Sequence, residues 1–219
     1  NIGRLEESKG QMEKAMATYK RGLVLAREVN TEKGIQGNAT NLADLAIQVD
    51  SLELAGEMIG IAALAMDSLN DESDYRERLA SVTSVQAKYC FKKALTNHDT
   101  SDAAACMPMF RQAIDTLKLY QGSRPSREVA KYLVEYADAL LDINMPDAAS
   151  QVLAEALKNI LVWPQRGEEM PPQGILYQEN TFIQVFECYV RLFNLRYQQT
   201  QDSLYLTKAI HALDNAIYV

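Results

Sequence analysis

Gly10-Gln11-Met12-Glu13-Lys14-Ala15-Met16-Ala17-Thr18-Tyr19-Lys20-Arg21-Gly22-Leu23 decides the reading of this chain. Ala15, Tyr19 and Gly22 stand at i, i+4 and i+7, so a small, a large and a small residue share one helical face. Such a face suits close contact with a neighbouring helix, because the small residues admit its backbone and the large one fills the groove. Gly10 ahead of it supplies a turn, and Ile2, Gly3 and Leu5 ahead of that belong to the end of a preceding helix. The stretch therefore reads as the second helix of a helical hairpin.

The same grammar recurs downstream. Ala55-Ile59-Ala62, Cys106-Phe110-Ala113, Ala149-Leu153-Ala156 and Ala209-Leu213-Ala216 each sit on a segment of helical pattern. Turn signals separate these segments: Asp50-Ser51, the polar run from Thr96 to Asp102, Gln121 to Ser126, and Asn144-Met145-Pro146-Asp147. The spacing between units is irregular, but five units in succession describe stacked hairpins. A two-helix hairpin cannot bury its apolar face alone, and stacking completes a continuous core. The expected fold is all-α, a right-handed superhelix of about five hairpins in one continuous domain over residues 1–219. Its one long interruption is the irregular, Pro-rich segment 162–174, which holds three of the six prolines.

Composition agrees with this. Of 219 residues, 47% are hydrophobic and 23% charged, and Leu, Ala, Glu, Gln, Lys and Arg dominate. The formal net charge is −7, with no dense basic cluster, which argues against nucleic acid. No apolar run reaches the roughly 18 residues of a membrane span, and no signal peptide is visible. Cys90, Cys106 and Cys188 are odd in number and widely spaced. They read as buried small hydrophobes of a reducing compartment, which gives a cytoplasmic expectation. The chain opens with Asn inside a helix and reads as a fragment of something longer.

Nothing in the sequence assembles a catalytic, cofactor or metal site. His98 lies in a polar loop and His211 on the last helix, neither at ligand spacing from a Cys or carboxylate. No base stands near any cysteine. Glu72, Asp74, Asp99 and Asp102 read as caps and solvated loop residues, with Thr100, Ser101 and Asp102 as capping candidates, since the ligand spacing and central Gly of a calcium loop are absent. The expectation is a protein that is not an enzyme and that needs no cofactor. Trp163, the only Trp, adjoins Pro164 and reads as a latch for the irregular segment or as an anchor for a partner.

With these residues in place, the chain resembles the tetratricopeptide repeat (TPR) family. Ile2-Gly3 with Gly10, Ala15, Tyr19, Gly22 and Leu23 carries that resemblance best, followed by Leu42-Ala43 with Ala55, Ile59 and Ala62, and Tyr136-Ala137 with Ala149, Leu153 and Ala156. The third and fifth units depart through insertions, and the family's helix-closing proline is missing from all five. The resemblance implies a protein or peptide partner held in a groove lined by the first helix of each hairpin. By register it places Arg4, Asp44, Gln48, Lys88, Lys92, Asp138 and Arg191 there.

Ala154-Glu155-Ala156-Leu157, the Pro-rich spacer, Leu195 to Thr200, Asp202 to Leu206 and Lys208-Ala209-Ile210 are similar to the repeats that precede CHAT domains. CHAT domains are caspase-like protease modules of bacterial signalling proteins. This second resemblance implies a regulatory arm whose partner includes its own C-terminal domain. The alternative is a free-standing scaffold or peptide-binding adaptor.

Overall fold

The computed structural model describes residues 2–69, 73–122, 124–160 and 180–217. Trp163 and the whole segment 162–174 lie outside them. The described residues are helix and turn, with no strand among them. They form two compact units, residues 1–120 and 121–219.

In the first unit, α1 (Ile2–Ser8) pairs with α2 (Met12–Glu28), α3 (Glu32–Gln48) with α4 (Leu52–Asp67), and α5 (Tyr75–Thr96) with α6 (Thr100–Ala105). The helix α7 (Met107–Gln121) follows. Successive hairpins stack, α2 against α3 and α4 against α5, and the first helices α3 and α5 also touch. In the second unit α8 (Arg127–Asp142) pairs with α9 (Pro146–Ile160), and α10 (Asn180–Thr200) with α11 (Ser203–Ile217). There α10 packs on both α8 and α9. This is the all-α helical-repeat arrangement the sequence led us to expect.

The turns explain how hairpins recur without a strict period. Gly10, Asp50, His98, Asn144 and Gln201 each stand between the two helices of a pair with positive φ, and Asn30 does the same between α2 and α3. After most of these the next amide reaches back five residues: Gln11 N–H to Glu6 O (2.9 Å), Thr31 to Ala26 (3.0 Å), Ser51 to Ala46 (2.8 Å), Asp99 to Ala94 (3.1 Å) and Met145 to Leu140 (2.8 Å). This closes the orphan carbonyls at each helix end and needs one left-handed residue per turn. Gly, Asn, Asp and His are among the residues that tolerate it. His98 is thus a turn residue, with φ 57°.

The slot residues of the first four units are largely buried, with Ile59 half-buried. Ala15, Tyr19, Ala55, Ala62, Cys106, Phe110, Ala113, Ala149, Leu153 and Ala156 are all buried. Gly22 faces α3 so closely that a Cβ there would run into the Asn38 carboxamide, 2.8 Å from its Cγ. Leu213, in the fifth unit, is exposed.

One local reading needs correction. The helical segment read as carrying Cys106, Phe110 and Ala113 is broken at Cys106. Pro108 lacks an N–H and its ring opposes the carbonyl four residues earlier, so a new helix starts at Met107. Of the residues read as caps here, Asp99 caps α6, its carboxylate accepting from the Ser101 and Asp102 amides at 2.9 Å, while Thr100, Ser101 and Asp102 lie within the helix.

Candidate functional site

In the first unit a pocket of about 160 Å³ opens where α1, α3 and the start of α5 meet. Arg4, Gln36, Gly37, Thr40, Asn41, Asp74, Glu77, Arg78 and Ser81 line it. Its floor is a polar network inside an otherwise apolar junction. Gln36 and Thr40 are buried one turn apart on α3. Gln36 Nε2 donates to Thr40 Oγ1 (2.9 Å), and Thr40 Oγ1 donates to Gln36 O (2.8 Å). Arg78 reaches across from α5: Nη1 donates to Gln36 Oε1 (2.8 Å) and Nε to Asp74 Oδ2 (2.9 Å). The Arg78 hydrogen bond holds the Asp74 carboxyl below its usual range, against the opposing effect of its desolvation, and Lys33 adds to the lowering.

Around that floor, Arg4, Asn41, Glu77 and Ser81 line the pocket without a hydrogen bond or ion pair to any described residue. One cation, one anion, one carboxamide and one hydroxyl thus line the pocket. The set can hydrogen-bond both sides of a peptide unit and fix a charged end group.

The groove residues expected by register fall differently. Arg4 lines the pocket. Asp44 pairs with Lys88 across α3 and α5. Lys92 pairs with Asp50 at 2.8 Å. Gln48 is exposed at the end of α3. In the second unit, Arg191 on α10 forks between Asp138 and Asp142 of α8, the latter at 2.7 Å. Arg196 reaches Asp147 at 2.8 Å. These charges bridge neighbouring helices of the stack and neutralise one another. By helical spacing, Gly37, Asn41 and Ser81 lie on the same stripes as Asp44, Gln48 and Lys88, two turns nearer the helix N-termini. Gln36, Thr40, Asn41 and Arg78 were missed by the sequence reading. The available signal was a Gln and a Thr at i and i+4 in an apolar helical pattern, which marks a buried polar network.

The cysteines also depart from expectation. Cys188 is buried and free, and its Sγ donates to Asp138 Oδ1 at 3.3 Å. Burial first, and then Asp138, push its thiol well above the usual range, which disfavours the thiolate. Cys90 and Cys106 form a disulfide, with Cα atoms 6.0 Å apart. Pairing of α5 with α6 brings the two together, and edge-to-face packing of Phe91 on Phe110 (6.2 Å) accompanies it. The reading as reduced, buried thiols holds for Cys188 and is corrected for Cys90 and Cys106. Among the described residues no group of three His, Cys, Asp or Glu could hold a metal ion, and no helix is long and apolar enough to cross a membrane.

Residues 1–28 match the Tetratricopeptide repeat family. Comparison with curated proteins gave no match. Among solved structures, the chain is similar to BtubC (BKLC) from P. vanneervenii, with a TM-score of 0.61 and 17% identity over 98% of this chain and 75% of that one. At that identity the likeness speaks for the fold alone. The chain is a helical-repeat protein whose first 28 residues match a tetratricopeptide repeat, a fold typical of non-catalytic protein-interaction scaffolds.

Proposed function

We propose that this protein binds an extended peptide segment of a protein partner on the face formed by α1, α3 and α5. The observation that carries this is the polar pocket, with its built floor of Gln36, Thr40 and Arg78 and its open groups Arg4, Asn41, Glu77 and Ser81. A floor of satisfied, buried polar groups holds the rim groups in place before a ligand arrives, which lowers the ordering cost of binding. Asn41 suits a main-chain amide, and Arg4 with Glu77 reads the charge of flanking groups. Peptides selected from a display library on this chain test it. Arg4→Ala and Asn41→Ala should each weaken a selected peptide by about tenfold, roughly 1.4 kcal/mol. Selected peptides indifferent to both changes would remove the pocket from the binding surface.

A narrower reading supplements this one. The likeness of residues 154–157, 195–200, 202–206 and 208–210 to repeats preceding CHAT domains supports a sensing arm of a bacterial protein, coupled to a caspase-like protease. In that case, peptide capture in the pocket would bias the protease. Sequencing the gene beyond the Val219 codon tests it: an α/β domain with a His and a later Cys at strand ends is the expected continuation, and further hairpins would favour the scaffold reading.

A further inference from the structure

The pocket on α1, α3 and α5 is small, and its size restricts what a peptide can place there. A sphere of its volume, about 160 Å³, is about 7 Å across, close to the roughly 6.6–6.8 Å that two residues of extended chain rise. Side chains at i and i+2 of an extended peptide point to the same side. The ends of two such side chains can therefore enter together while the residue between them faces away. The walls carry one charge of each sign. Hairpins stack in chain order, so α1 and α5 stand on either side of α3 and bring Arg4 and Glu77 from separate helices. The other two charged lining residues are tied to each other: Arg78 Nη2 lies 2.8 Å from Asp74 Oδ2, and Lys33 Nζ lies 3.4 Å from Asp74 Oδ1. Between the walls α3 presents Gly37, where an added Cβ would have nothing within 4 Å. A missing side chain over open space lets a ligand's main chain come close to the helix. Asn41, one turn on, offers that main chain both a donor and an acceptor.

We infer that the pocket selects an extended peptide segment with an acidic and a basic residue separated by one residue, the acid set against Arg4 and the base against Glu77. This rests on the peptide-binding reading above and adds the charge pattern that the partner must carry. Gly37→Ala separates the site from the fold. A Cβ there meets nothing and alanine favours the helix, so the variant should melt no lower than wild type. It should nevertheless weaken bound peptides by about tenfold, because the methyl takes the space of the ligand's main chain.

Short random peptides displayed on phage and selected on this chain test the pattern, with affinities then read by fluorescence anisotropy. Selected peptides should share an acid and a base with one residue between them, in a single order, and should bind more weakly as salt is added. Reversing either peptide charge should cost about tenfold or more. The Arg4→Glu/Glu77→Arg variant should prefer the peptide with both charges exchanged, a result that loss of fold cannot produce. If that variant does not fold, Arg4→Gln and Glu77→Gln replace it: Arg4→Gln should become indifferent to the peptide's acid but not its base, and Glu77→Gln the reverse. Peptides that weaken on Asn41→Ala yet carry their charges at random, or that show no such matched indifference, overturn the charge pattern and leave the peptide-binding reading standing. Peptides indifferent to Arg4→Ala, Gly37→Ala and Asn41→Ala alike overturn both.

Discussion

Gly22→Ala tests the junction between α2 and α3 with a sign that propensity alone cannot produce. A helix normally gains about 1 kcal/mol when Gly becomes Ala. At Gly60, exposed on α4 with nothing within 4 Å of where a Cβ would stand, that gain should appear in full. At Gly22 the new methyl would meet Asn38 Oδ1 and stand 2.8 Å from its Cγ, about 1 Å inside ordinary contact. Two escapes exist. Asn38 can swing away, surrendering the Nδ2–H bond to Gly34 O at 2.8 Å, a loss of about 0.5–1.5 kcal/mol. Otherwise the two helices part at a packed seam, which costs about 1–3 kcal/mol. After the propensity gain, Gly22→Ala should lie between a gain of about 0.5 and a loss of about 2 kcal/mol, against a gain of about 1 for Gly60→Ala. At roughly 2–4 °C per kcal/mol, the Gly22→Ala variant should melt about 1–12 °C below Gly60→Ala. Far-ultraviolet circular dichroism melts suffice. Adding Asn38→Ala to Gly22→Ala should restore about 1 kcal/mol, a coupling visible in a double-mutant cycle. If Gly22→Ala melts as high as Gly60→Ala, or Asn38→Ala restores nothing, the close-approach account of the small slot is wrong.

Three further outcomes follow from named contacts. Reducing the Cys90–Cys106 disulfide, which closes a 16-residue separation, should lower the melting temperature by on the order of 10 °C through the loss of about 3 kcal/mol; the Cys90→Ala/Cys106→Ala variant should melt identically with and without dithiothreitol. Lys88→Glu sets two carboxylates together at a site where Lys88 and Asp44 side chains are only 19% and 24% exposed, so it should cost about 1–3 kcal/mol in urea unfolding, and Asp44→Lys on the same chain should recover most of it. Asp74 has a folded-state pKa held below its unfolded value, chiefly by the Arg78 hydrogen bond. Its contribution is therefore complete above about pH 4 and is lost as pH falls through the folded value; wild type should outmelt Asp74→Asn near neutrality, and the two curves should converge in acid.

The Gly10–Leu23 phrase shows how much of this protein its sequence determined alone. Helix period, small slots and turn residues are local properties. Neighbours within a few positions set which face is apolar and where a left-handed residue ends a helix, so hairpin identity could be read at Gly10, Asp50 and Asn144 without coordinates. Even the break at Cys106 follows from Pro108, two residues on, though weighing it against helical pattern needed the structure.

The candidate site was different. Register found the stripes that carry Asp44, Gln48 and Lys88, but which charges are open depends on what the next hairpin places opposite them. Asp44 meets Lys88 forty-four positions away, and Arg191 meets Asp138 at fifty-three. The pocket likewise exists because Arg78 of α5 reaches Gln36 of α3, forty-two positions back. Cys90 and Cys106 are paired by the stacking of their helices. Local sequence dictates backbone shape, whereas pairing between hairpins depends on how neighbouring hairpins pack, and only the tertiary structure decided which polar groups bridge helices and which line the pocket.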